Sequence, residues 1–81
     1  MPHVHVFLYP GRSQNQKKSL AERITSLLKE EIGVSDEVIS VSFEEVLPES
    51  WDDSVVKPFI VEKKEWLFKA PGYSSRYFEK E

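Results

Sequence analysis

One amphipathic stretch of about twenty residues separates two short β-like runs, and that spacing limits how the runs can pair. Ser13, with Gln16 three residues on, matches a capping box, in which each side chain satisfies a backbone N–H that the first helical turn leaves without a partner. Leu20, Ile24, Leu27, Leu28 and Ile32 recur at helical spacing, while Lys17, Lys18, Glu22, Lys29 and Glu30 fall off that stripe. Gly33 suits the left-handed backbone that ends a helix. The pattern predicts a helix over residues 13–32. Before it, His3 to Tyr9 is rich in Val, Phe and Tyr, with Val4, Val6 and Leu8 on one face and His3, His5, Phe7 and Tyr9 on the other. Large groups on both faces predict a strand covered on both sides. After the helix, Val38 to Glu44 alternates, with Ile39, Val41 and Phe43 opposite Ser40, Ser42 and Glu44. Two strands joined through such a helix are expected to be parallel with a right-handed crossover.

A two-stranded sheet is not independently stable in water, least of all a parallel one covered on a single face. The chain has 81 residues and no cysteine, so neither disulfides nor thiolate metal sites can staple it. The expected fold is therefore α/β (α+β in its broader sense): a β-α-β unit with an added C-terminal helix, two protomers completing a four-stranded sheet. Pro58 suits the first turn of that added helix, and Ile60, Val61, Lys64, Leu67 and Phe68 fit one flank over residues 59–69 before Pro71 and Gly72 end it. Residues 74–81 are polar enough to fray. With no linker or repeat, residues 1–81 read as a single domain.

Eleven Lys and Arg against fourteen Asp and Glu leave a net charge of -3, which argues against nucleic acid as a partner. The opening MPHVHVFLYP lacks the basic-then-apolar order of a secretory signal, and no apolar run approaches the roughly 20 residues that span a bilayer. The expected location is cytoplasmic, away from membranes.

Three residues could carry chemistry. Pro2 directly follows Met1; removal of Met1 would expose a rigid cyclic secondary amine, whereas proline within a chain is an amide without basicity. An apolar pocket would disfavour the charged amine and bring its pKa towards neutrality, where a general base works best. The plainer alternative is an ordinary strand-opening proline. Arg12 lies just before the helix, where the partial positive charge of the helix terminus already favours anions, and its planar fork can hold a carboxylate through two hydrogen bonds. Its alternative is a solvated turn arginine. Trp51 is either a pocket wall or part of the core or a dimer interface. His3 and His5 share a strand face, as two metal ligands might, but no clear third ligand accompanies them; a surface or interface role is expected, with no metal. The aromatic and basic mixture from Lys64 to Phe78 reads as packing rather than base stacking, given the acidic total.

Taken together, Pro2, the Gly11-Arg12-Ser13 turn and Trp51 resemble the 4-oxalocrotonate tautomerase family within the tautomerase superfamily, in an ungapped register from Pro2 through Trp51. Pro48-Glu49-Ser50-Trp51 and Pro71-Gly72-Tyr73 narrow the likeness to the longer, dimeric bacterial tautomerases that act on phenylenolpyruvate. The resemblance implies a cofactor-independent keto-enol isomerase of enolpyruvate-type carboxylates. In it Pro2 is the catalytic base, and Arg12 and Trp51 bind substrate. Other chemistry of the same pocket (hydration, dehalogenation or decarboxylation) and a non-catalytic dimeric binding module remain alternatives. Ser40 stands where the hexameric members carry a second arginine, so the resemblance implies a monoacid substrate unless Lys57, Lys64, Lys69 or Arg76 substitutes.

Overall fold

The computed structural model describes residues 1–78 and falls into two compact units, one covering residues 1–45 and the other from Val46 onward. The first unit is the anticipated β-α-β: β1 (His3–Leu8), α1 (Gln14–Ile32) and β2 (Ser40–Glu45). The strands pair in parallel, Val4 opposite Val41 and Val6 opposite Phe43 on one face, His3 opposite Ser40 and His5 opposite Ser42 on the other.

The caps of α1 form where the side chains allow. The Gln16 N–H donates to Ser13 Oγ at 3.0 Å and the Ser13 N–H donates to Gln16 Oε1 at 2.9 Å. Gly33 adopts φ 68°, a conformation that costs glycine little, and its N–H reaches the Lys29 carbonyl at 3.1 Å. At the opposite end of the helix, the Lys17 ammonium meets the Glu45 carboxylate at 2.8 Å, tying the start of α1 to the end of β2.

Both strands are shorter than the residue pattern alone suggests. Val38 and Ile39 spend their N–H groups on the carbonyls of Ser35 and Asp36 in a 3-10 turn, Asp36–Val38, so β2 begins at Ser40. β2 then ends at Glu45, opposite Leu8, so β1 stops at Leu8. The expectation that β1 is covered on both faces also fails within the chain: His3 and His5 are exposed.

The second unit differs more. The helix expected over 59–69 is instead a π-helix, Asp52–Val61, followed by a 3-10 turn, Lys64–Trp66. The turn Pro48–Ser50 passes directly into it through Trp51, whose backbone is already helical at φ -58° and ψ -48°. Asp52 and Asp53 place negative charge in its first turn, where the helix dipole favours it. Pro58, expected at the start, sits inside; it cannot donate a hydrogen bond and its ring crowds the carbonyl of residue i-4. Wider winding accommodates that crowding, as in the i to i+5 bond from Glu62 N–H to the Lys57 carbonyl at 3.0 Å. Phe68, expected on the helical flank, lies beyond the helix and is fully exposed.

Among the described residues only Val46, Val55 and Val56 are buried, all in the second unit; Val56 has no solvent exposure at all. The first unit encloses no side chain fully. On α1, Ala21, Ile24, Thr25 and Leu28 are partly covered, whereas Leu20, Leu27 and Ile32 from the same apolar stripe stand exposed, Leu27 at 57%. The stripe is wider than the two strands can cover. No described helix is long and apolar enough to cross a membrane.

Ser13→Ala removes the cap of the single long helix. It is expected to destabilise the protein by about 0.5–2 kcal/mol, read from urea unfolding at fixed protein concentration.

Candidate active site

Pro2 opens β1 and is partly covered; its carbonyl accepts the Ser40 N–H at 3.2 Å, which ties it to the amino end of β2. With Met1 in place the Pro2 nitrogen is an amide. Arg12 lies past the opposite end of β1, exposed, one residue before the Ser13 cap. The first turn of α1 contains no acidic residue, so nothing there offsets the positive helix terminus beside Arg12. Pro2 and Arg12 are therefore held at opposite ends of one strand, about 20 Å apart at the usual rise for the six residues of β1. No turn brings them together within the chain, because the Lys17–Glu45 pair keeps the start of α1 at the carboxyl end of the sheet.

The sheet face carrying the histidines holds a continuous side-chain ladder. Ser40 Oγ lies 2.6 Å from His3 Nδ1, and Ser42 Oγ lies 3.3 Å from His3 Nε2 and 2.6 Å from His5 Nδ1. His5 Nε2 then donates to Glu44 at 3.0 Å. With Glu44 a carboxylate and both imidazoles neutral, the donors run one way: Ser40 to His3, His3 to Ser42, Ser42 to His5, His5 to Glu44. His5 also packs edge-on to Phe7 at 4.6 Å. The face is polar and internally satisfied, and no described residues group as metal ligands.

Trp51 belongs to the second unit, where residues of the C-terminal segment bind the residues around it in order. Its indole Nε1–H donates to the Tyr73 hydroxyl at 3.0 Å. Ser75 Oγ donates to Asp52 at 2.7 Å, and Arg76 reaches Asp53 at 2.6 Å and Asp52 at 3.5 Å. The Tyr77 hydroxyl also donates to Asp53. Within the stretch expected to fray from residue 74, the polar groups of 75–77 find carboxylates on the π-helix; residues 79–81 lie outside the described residues. Arg76, one of the four cations named above as substitutes for the family's second arginine, is paired with Asp52 and Asp53. Lys57 lies over the Tyr77 ring at 5.9 Å, while Lys64 lines a largely apolar cavity of about 330 Å³ with Ile60, Val61, Leu67 and Pro71 among its walls. Asp52 and Asp53 belong to none of the sequence motifs above, and Tyr73 only to Pro71-Gly72-Tyr73. Paired acids ahead of an apolar run were the available sign of a helix start.

Hydrogen bonding from Tyr77, and then from Arg76, holds the Asp53 carboxyl below its ordinary value of 3.8. A depressed carboxyl contributes stability above its unfolded pKa and loses it as pH falls through the lower folded one. Carboxyl NMR of Asp53 is thus expected to titrate below 3.8, and Tyr77→Phe to move the midpoint back up.

Residues 2–52 match the family described as Tautomerase enzyme. The chain is 41% identical to Tautomerase PptA of Pectobacterium carotovorum subsp. carotovorum over 75 residues, covering 91% of this chain and 99% of that protein. It is 37% identical over 73 residues to a probable tautomerase of Xylella fastidiosa, covering 90% of this chain and 89% of that one. Among solved structures it resembles TomN, a 4-oxalocrotonate tautomerase homologue in the tomaymycin biosynthetic pathway. The TM-score is 0.60 and the identity 31%, over 79% of this chain and 95% of TomN. It also resembles YwhB, a homologue of 4-oxalocrotonate tautomerase, with TM-score 0.55 and 41% identity over 57% of this chain and 75% of YwhB.

Proposed function

This chain belongs to the tautomerase family and is an isomerase, and from that premise we propose that it ketonises enolpyruvate-type monocarboxylates, with Pro2 as general base and Arg12 supplied by a second copy of the chain. The observation that carries this reading is the placement of Pro2 and Arg12 at opposite ends of β1. A small enol acid cannot touch both in one protomer. Two copies related by a two-fold axis, with sheet edges antiparallel, bring the amino end of one strand to the carboxyl end of the other. The same pairing offers cover to the apolar groups of α1 that one protomer leaves exposed.

In the processed protein, free of Met1, the Pro2 amine takes the enol proton and returns it to carbon. Arg12, reinforced by the amino terminus of α1, anchors the carboxylate and polarises the adjacent oxygen. Trp51 forms the apolar wall that excludes water, which keeps the amine neutral and strengthens the arginine contact. The preference for a monoacid follows from β2: Ser40 is hydrogen-bonded to His3, and the strand carries no lysine or arginine to hold a second carboxylate.

Intact mass of the active protein is expected to lack Met1, and Pro2→Ala to lower kcat for phenylenolpyruvate ketonisation by about 100- to 10,000-fold, the range of a lost general base. Full activity with Met1 retained would overturn the proline mechanism. Arg12→Ala is expected to raise KM for carboxylate substrates. Co-refolding the Pro2→Ala and Arg12→Ala variants tests the shared site: in a two-fold dimer half the random pairings are mixed and each has one intact site, so about a quarter of wild-type activity should return. No recovery would show that Arg12 does not act across the dimer.

A further inference from the structure

We propose that Tyr73 is a positioning residue that sets substrate specificity by fixing the plane of the Trp51 indole. The inference rests on the assignment of Trp51 to the substrate pocket made above. An indole has one polar handle, the Nε1–H donor, and two side-chain torsions that set where its face points. In this chain the donor goes to the Tyr73 hydroxyl at 3.0 Å. Rotating the ring breaks that bond, a directional constraint that a purely apolar contact would not impose.

Tyr73 can act as a fixed reference because its own segment is fixed. Residues 51, 52 and 53 hold residues 73, 75 and 76 in the same order, with Tyr77 joining Arg76 on Asp53. The segment cannot slide along the π-helix without breaking charged and neutral hydrogen bonds together. Tyr73 is further steadied against the Phe78 ring, centroid to centroid 6.1 Å. The sequential anchoring of 73–77 to 51–53 therefore delivers one hydroxyl to one indole nitrogen. An aryl or branched apolar group on an enol acid would lie against a wall whose angle Tyr73 sets. A small alkyl enol acid carries no such group to lay against that wall.

Tyr73→Phe keeps the ring and removes only the acceptor, and two readouts follow it. The first is solvent exchange of the Trp51 indole N–H by nitrogen-15 NMR, with Trp66→Phe used to assign the signal. The second is steady-state kinetics on phenylenolpyruvate and on a small alkyl enolpyruvate. Exchange is expected to quicken and KM for phenylenolpyruvate to rise, each by the roughly 2- to 10-fold that one neutral hydrogen bond carries, with kcat held and the small substrate unaffected. Unchanged exchange, or KM rising equally for both substrates, would overturn the positioning role. Trp51→Ala, measured alongside, separates the two layers. If it leaves KM for phenylenolpyruvate unchanged, the wall assignment falls and this inference with it, while the roles of Pro2 and Arg12 stand.

Discussion

The parallel pairing of β1 with β2 governs where the candidate residues lie because it gives the sheet two chemically different ends. Parallel strands put both amino ends together, so Pro2 and Ser40 meet at one end through a backbone hydrogen bond. The carboxyl ends lie at the other, where Lys17 and Glu45 lock the start of the crossover helix. Arg12 precedes that helix and must follow it. An antiparallel hairpin would have put the residue after β1 beside the start of β2; the crossover does the opposite. Separation of the proline from the arginine is thus a property of the topology, and under the proposed function a second chain closes the gap.

Packing points the same way. Two strands and one helix offer too little surface to enclose a core, and the first unit buries nothing completely. Leu20, Leu27 and Ile32 continue the apolar stripe of α1 past the area the sheet can reach. Folding this unit leaves apolar surface in water that would contribute about 25 cal/mol per Å² if covered. The opposite face of the sheet behaves differently. Its His–Ser–His–Glu ladder satisfies its own polar groups and gains little from being covered.

The second unit holds the buried valines of the described residues and fixes its own C-terminal segment. A proline inside a helix and a run of charged residues are poor material for a rigid element. The π-helix is nevertheless tied down, because Asp52 and Asp53 draw Ser75, Arg76 and Tyr77 onto its first turn. Charge-assisted hydrogen bonds of this kind have narrow geometry even where they contribute little net stability in water. Their value here is registration: they hold Tyr73 at Trp51.

The order of elements in residues 1–45 was legible from sequence, because strand alternation, the Ser13–Gln16 box and Gly33 are local signals with local causes. Pro2, Arg12 and Trp51 were legible as candidates through their resemblance to a known family. Strand ends were not, since they depend on where the partner strand stops and on which N–H groups a neighbouring turn has taken, as at Val38 and Ile39. The helix around Pro58 differs for a related reason: proline's local preference favours a helix start, whereas the helix begins at Asp52 and winds wide around Pro58, with the paired acids Asp52 and Asp53 in its first turn. The ladder from Ser40 to Glu44 and the bond from Trp51 to Tyr73 join residues far apart in the chain, so no periodicity announces them. Sequence by itself determined the β-α-β order and the capped helix, which follow from neighbouring residues. Tertiary structure decided which ends of the sheet hold the proline and the arginine and what orients the tryptophan, because those depend on strand direction and on contacts closed only by folding.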